Sequence, residues 1–355
     1  MANNVRDFGA IGDGNADDTA AVQNAINDGQ SSGQPVYLPV GTYRITRTLH
    51  LARNIDIFGE DASLCVLQHD LRGLSDSDRK SNSVCLAVNN TPSGKETRSV
   101  SYVSLRRFRV TTTEPRLILG DRARQTAIFM HGGYWNCILR ELVIHDFYQG
   151  IFLRKCWTAR VQNCSVERSL LHCLKWENAT AGEITGCRLD SISGNRVGGH
   201  GNACVFITGD PGETLALSVA NNAFQQSERA GFYARGVGNI TMLNNFFEGN
   251  NRSGRSRTAA LHLDNQPAGQ DPNQLRVANI IGGFWTPGEN GKGTAIRIED
   301  YDVVTLMGID IRGTPFTKGI ELTGRDSRAN IIGVNAARPY TIAAPSPNIH
   351  NCILG

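Results

Sequence analysis

The sequence predicts an all-β chain wound as a single parallel β-helix, and two observations carry that prediction. Gly is abundant at 38 residues while Met is scarce at 4, and short apolar runs separated by Asn- and Gly-rich turns favour many brief strands joined by sharp corners. Eight segments also align as an internal repeat: AIFMH at Ala127, GIFLR at Gly150, CLKWE at Cys173, CVFIT at Cys204, GFYAR at Gly231, ALHLD at Ala260, AIRIE at Ala295 and GIELT at Gly319. Their first residue is always small and their second always apolar. The interval of about 23 to 35 residues varies as it does in solenoids whose loops grow without disturbing the stack.

The elements follow in chain order. DGNADD, from Asp13 to Asp18, resembles a calcium loop in its alternating acidic and amide groups. Such a loop needs Gly at its sixth place and Glu at its twelfth, and Asp18 and Asn24 stand there instead. The better reading is a helix start. Asp17 and Asp18 accept hydrogen bonds from free amides and suit the positive end of the dipole, Ala21, Val22, Ala25 and Ile26 recur at helical spacing, and Gly29 is the expected stop. Residues 1–35 therefore form a cap that covers the open edge of the first coil. Residues 36–125 form irregular early coils through PVYLPVGTYRI, IDIFGE and VSLRRFRV, and residues 126–355 form regular coils ending at NIHNCIL. Each repeat reads as three short strands, for about ten to eleven coils in one domain spanning 1–355. Asn and Gly supply left-handed backbone at the corners.

Composition bounds the function. A net charge of +3 and one short basic loop, RSGRSR, do not indicate a nucleic-acid partner. No apolar run is long enough for a transmembrane helix, so no membrane partner is expected. Nine Cys without a CxxC pair read as buried reduced thiols, not a disulfide framework or zinc site. No metal site and no cofactor are indicated. Folded-domain sequence begins within a few residues of Met1, so the expectation is a protein made in a cytoplasm without a signal peptide, acting there, outside the cell or on a virion. The strand-like C-terminus predicts cover by another subunit, as in a homo-oligomer, or by a further domain.

The opening VRDFGAIGDGNADDTAAVQNAI, with GQPVYLPVGTYRI after it, resembles the N-terminal signature of the pectate-lyase-like right-handed β-helix superfamily. The resemblance covers about the first 45 residues; the coil repeats extend it. It implies a right-handed helix and a polysaccharide partner, because the superfamily includes polysaccharide lyases, glycoside hydrolases, uronate epimerases and phage tailspikes. It implies calcium only if the chain is a lyase, and a homotrimer if it is tailspike-like. One scaffold hosts several chemistries, so the reaction must come from the residues.

Strand alternation turns positions three and five of each repeat outward. Position three reads Phe129, Phe152, Lys175, Phe206, Tyr233, His262, Arg297, Glu321, and position five reads His131, Arg154, Glu177, Thr208, Arg235, Asp264, Glu299, Thr323. The superfamily resemblance makes this sheet the floor of a substrate groove. For β-elimination or epimerisation of a uronate, the slightly favoured reading, His262 and Tyr233 are the base and acid candidates with Lys175 beside them. Arg235, Arg297, Glu177, Arg154 and Phe206 are the substrate-binding candidates. For hydrolysis, Asp264 and Glu299 are a carboxylate pair one coil apart. A non-catalytic glycan-binding solenoid, stacking sugars on Phe152, Trp157, Trp176, Phe206 and Tyr233, is the third reading. Against all three stands an ordinary solvated face, with Arg154–Glu177, Arg235–Asp264 and Arg297–Glu321 as cross-strand charge pairs. The resemblance has gaps. Ala230–Arg235 keeps only Gly-Phe of the mannuronan epimerase strand motif, and Gly199-His200-Gly201 and Arg297-Ile298-Glu299 lack the two Asp motifs that accompany such matches in polygalacturonases.

Overall fold

The computed structural model describes residues 2–52, 54–88, 100–113, 124–190, 203–209, 216–252, 258–265, 275–288, 292–313, 316–324, 328–336, 340–343 and 347–354. It divides into two compact units, Met1–Lys175 and Trp176–Gly355. In the first unit, one parallel sheet runs through Asn3–Asn4, Val36–Leu38, Ile55–Gly59, Val103–Arg106, Ile138–Arg140 and Arg160–Gln162. A second runs through Asp13–Asp17, Gly41–Ile45, Cys65–His69, Arg109–Thr112, Val143–His145 and Ser165–Glu167, and a third through Leu49–Leu51, Val84–Val88, Thr126–His131 and Gln149–Arg154. The second unit repeats the scheme. Its third sheet, which carries the site, runs through Val205–Gly209, Phe232–Arg235, Ala259–Asp264, Gly293–Glu299, Phe316–Thr323 and Thr341–Ile342. Each is a β-helix of three-strand coils.

The repeat explains this packing. Its fourth residue, from Met130 and Leu153 through Leu263, Ile298 and Leu322, is at most 2% exposed at every coil. The small first residue has a steric reason: a Cβ on Gly150 would lie 2.5 Å from both the Cys173 carbonyl oxygen and Val166 Cγ1. Leaving the first sheet, the coils from Val103–Arg106 onward each turn through one left-handed residue. These are Arg107, Glu141 and Asn163 in the first unit, then Gly186, Asn221, Asn244, Gly282, Gly308, Gly333 and Asn351 in the second, with φ from 49° to 66°. Under that corner Asn222 and Asn245 form a buried amide ladder. Asn245 Oδ1 accepts from the Asn222 backbone and side-chain nitrogens at 3.0 Å each, and its Nδ2 donates to the Val219 carbonyl at 2.8 Å. Buried backbone groups at the bend are thereby paired. Eight of the nine thiols are buried.

The N-terminal helix spans Thr19–Ser32 and buries Ala21, Val22, Ala25, Ile26 and Gly29. It covers an edge, as expected, and two glutamines do so chemically. Gln23 accepts from the His50 amide at 2.8 Å and donates to its carbonyl at 3.0 Å, while Gln30 accepts from the Ala52 amide at 2.9 Å. The outer groups of the Leu49–Leu51 edge strand are thus partly satisfied by side chains. Two details of the sequence reading are corrected. Gly29 does not stop the helix: Gly33 does, at φ 75°, and Gly29 is Gly because a Cβ there would meet the Gln34 carbonyl at 2.8 Å. Asp17 does bind the Thr19 amide, at 3.1 Å, but the Asp18 carboxylate turns back to the Ile11 and Gly12 amides at 2.7 and 3.1 Å. Asp13 accepts from the Asn15 and Ala16 amides at 2.8 Å each, so this acidic loop is a set of turns that satisfies its own backbone.

One buried group makes this fold acid-sensitive. His69 is fully enclosed, its Nδ1 2.9 Å from Gln125 Oε1, and burial pushes its pKa from 6.5 down to about 4. Between those values the unfolded chain binds a proton that the native chain refuses, so stability falls as pH drops from 6.5 toward 4. The expected loss is about 3 kcal/mol across that window. Urea midpoints measured across it are expected to fall steeply for the wild type and less steeply for His69→Gln; equal slopes would refute the assignment.

Candidate active site

Parallel register sets the columns as the repeat predicts. Phe206 pairs with Tyr233, Tyr233 with His262, His262 with Arg297, and Arg297 with Glu321. Thr208, Arg235, Asp264, Glu299 and Thr323 form the neighbouring column. All these side chains point away from the coil interior. Even so, Tyr233, His262 and Asp264 are only 7%, 8% and 9% exposed. That degree of burial is unusual for polar groups on an outer sheet face.

Two short contacts run diagonally between coils and a third runs along one strand, and together they define the site. His262 Nε2 lies 2.6 Å from Glu299 Oε2. Arg297 Nη2 donates to the other oxygen, Oε1, at 2.8 Å. Tyr233 donates its hydroxyl to Asp264 Oδ2 at 3.1 Å and stacks its ring on His262, with centroids 4.7 Å apart and planes 21° from parallel. Phe206 packs against Tyr233 from the preceding coil at 5.4 Å. The register pairs expected on a plain charged face, Arg235–Asp264 and Arg297–Glu321, are looser at 3.8 Å each. Lys318 reaches Glu321 at 3.1 Å and completes the chain of charges.

This geometry sorts the protonation states. Burial raises the Glu299 pKa, but hydrogen bonds from His262 and Arg297 outweigh it and hold the carboxyl below its ordinary value. Burial, then the Asp264 carboxylate, pushes the Tyr233 phenol well above its usual value. Glu299 is thus a fixed anion and Tyr233 a fixed proton donor at neutral pH. With Nε2–H directed to Glu299, the Nδ1 of His262 is left as the basic nitrogen. A proton acceptor, a phenol and two carboxylates therefore meet within adjacent coils.

The structure brings Tyr233, His262, Asp264, Glu299, Arg235, Arg297 and Phe206 together. Lys175 and Arg154 belong to the first unit, where they bracket Phe152, Lys175 Nζ at 4.6 Å and Arg154 Cζ at 5.0 Å from the ring centre. Glu177 is half-buried on the His172–Ala179 strand. Arg297 departs from the role expected of it. Its guanidinium is held between Glu299 and Glu321, so it balances internal charge and is not presented to a substrate carboxylate. Arg235, half-exposed, is the cation left to meet one. Trp176 is corrected outright: at 0% exposure it points inward and has no face to offer a sugar. Sequence reasoning paired Glu321 with Arg297 but missed Lys318, which lies three residues before Glu321 and so falls outside the alternation that marks this face. Gly199-His200-Gly201, Arg255 and Arg257 lie outside the described residues. Among the described residues, no three His, Cys, Asp or Glu side chains converge to hold a metal, and no helix is long and apolar enough to cross a membrane.

Comparison with known proteins places the fold. A family model described as rhamnogalacturonase A/epimerase, pectate lyase-like, matches residues 2–125. The match is confined to the first third of the chain, where the N-terminal cap and early coils resemble that family. A mannuronan C5-epimerase of Azotobacter vinelandii, AlgE1, is 55% identical over 47 residues, which are 13% of this chain. The chain matches only 3% of that relative's length, so the relative's activity does not transfer with it. Among solved structures, the catalytic unit of the Streptomyces thermodiastaticus GH87 α-1,3-glucanase matches with a TM-score of 0.63 at 17% identity, over 96% of this chain and 61% of that one. The Streptococcus pneumoniae surface protein and adhesin PfbA matches with a TM-score of 0.62 at 14% identity, over 99% and 98%. Likeness at such identities shows the parallel β-helix fold and leaves the chemistry to the site.

Proposed function

We propose that this protein abstracts the C5 proton of a uronate residue in an acidic polysaccharide, as a lyase or C5-epimerase, with His262 as the base. The observation that carries this reading is the 2.6 Å contact between His262 and the ionised Glu299. The carboxylate fixes the imidazole tautomer and compensates the positive charge that appears when Nδ1 takes the proton. Arg235 faces the substrate carboxylate, where charge develops as the C5–H bond breaks. Tyr233, held by Asp264 and stacked on His262, gives a proton to the departing O4 oxygen in elimination, whereas in epimerisation C5 takes its proton from water on the other face. Asp264 and Glu299 are in register, as a hydrolytic pair would require, but Glu299 is held as an anion and has no proton to give a glycosidic oxygen.

Incubation with alginate, polygalacturonate and neutral glucans in heavy water tests this. Deuterium at C5 or an unsaturated chain end, read by NMR and ultraviolet absorbance, is expected with a uronan. New reducing ends without unsaturation would replace the proposal with hydrolysis.

A further inference from the structure

A second surface with binding chemistry lies in the first unit, where the coils turn into the first sheet. The residue at this corner adopts left-handed backbone in successive coils: Asn54 at φ 46°, Tyr102 at 57°, Asn136 at 51° and Thr158 at 51°. Register makes these positions equivalent, because Ile55 pairs with Val103, Ser104 with Ile138 and Ile138 with Arg160. Asn tolerates this conformation and a bulky aromatic does not, so Tyr102 carries strain that an Asn would remove. Strain of this kind gathers at sites of function.

The rings stand out as well. Tyr102 is 60% exposed and Trp135 is 62% exposed, on neighbouring coils joined by a 2.8 Å bond from the Tyr102 amide to the Trp135 carbonyl. Trp157 occupies on the next coil the place that Trp135 holds on its own, each lying three residues before a registered partner. Its amide donates to the Gly133 carbonyl at 2.6 Å. A short extra strand pair, Val100–Ser101 with Gly133–Trp135, stands apart from the three sheets; Trp135 ends its second strand and Tyr102 follows directly on its first. Among the described residues, neither the Tyr102 nor the Trp135 ring packs on another ring or makes a side-chain hydrogen bond.

We infer that Tyr102, Trp135 and Trp157 form a ridge that stacks against the pyranose rings of a polysaccharide chain. Indole and phenol faces match the C–H face of a sugar. Asn54, Ser101, Asn136 and Thr158 set amides and hydroxyls beside them, which suits the hydroxyl rim of a glycan better than the continuous apolar core of a protein interface. The proposal rests on the preceding reading only in taking a polysaccharide as the ligand; it needs no catalysis.

Affinity electrophoresis through gels holding alginate, polygalacturonate or a soluble β-glucan tests it. Retardation by at least one polymer is expected, weakened about tenfold in Trp135→Ala. Tyr102→Asn discriminates further: it is expected to raise the melting temperature by removing strain while lowering affinity, a combination a purely structural tyrosine would not give. No retardation by any of the three polymers, or wild-type retardation of both variants, overturns the ridge. Because binding is read without turnover, failure to detect C5 exchange would remove the proposed chemistry and leave this result standing.

Discussion

Glu299→Gln is expected to lower turnover of a uronan about 10²- to 10³-fold with little change in KM, and His262→Ala to lower it further, by about 10³- to 10⁴-fold. The substitution keeps the shape of Glu299 and one acceptor oxygen, so His262 keeps its orientation. It removes the negative charge that compensates the imidazolium formed as the proton moves, and the interaction lost is therefore one that strengthens in the transition state. Glu321→Gln serves as the control. It also breaks a contact of Arg297, but one 3.8 Å long and one coil farther from His262, so its effect should be several-fold at most. Steady-state rates for the three variants on one polymer decide the matter. If Glu299→Gln turns over normally while Asp264→Asn is inactive, the His262–Glu299 pair is a structural ladder contact and the base lies elsewhere. A stability signature accompanies the loss. The Glu299 pKa is lowered by folding, so its contribution is present above the unfolded value near 4.5 and lost as pH falls below it. The Gln variant should therefore differ from wild type most at neutral pH.

The columns of the site were legible in the sequence because strand alternation has a period of two and the repeat supplies its own alignment. His262 opposite Arg297 and Asp264 opposite Glu299 follow from counting alone. What counting does not give is which partner a long side chain selects. Glu299 reaches diagonally to His262 although Asp264 is its register mate, and Arg297 turns to Glu299 within its own strand, because side-chain length and local charge decide this within the space between coils. Trp176 shows the opposite error. Its fourth place in CLKWE already marked it as inward, and its size as an aromatic outweighed that signal in the binding reading. Gln23 and Gln30 were illegible as edge caps, since nothing in their composition distinguishes them from the solvated face of any helix. Tyr102 was hidden for a related reason: its left-handed backbone is imposed by the coils on either side, not by local preference.

Trp285→Ala is expected to cost about 3–5 kcal/mol of stability, the range for deleting a fully buried aromatic. Its indole stacks on Phe247 with centroids 5.0 Å apart and planes 9° from parallel, and Phe247 in turn lies 4.8 Å from Phe224. Backbone pairing on both sides limits collapse around the cavity, since each coil is tied to its neighbours by parallel ladders. Trp285→Phe should cost far less, under about 1.5 kcal/mol. The indole nitrogen is buried without a partner, so exchanging it for carbon removes an unsatisfied donor while most of the stack remains. Urea midpoints at constant slope measure both; equal losses would mean that the ring stack is not what holds this coil. The consequence reaches the site through chain order. Trp285 lies in the Phe284–Thr286 strand, and the next strand is Gly293–Glu299, which carries Arg297 and Glu299. In a solenoid whose coils contact only their neighbours, loosening one coil loosens first the strand that follows it. Trp285→Ala should therefore lose turnover on warming before the whole chain unfolds, whereas Trp285→Phe should keep turnover up to the wild-type transition.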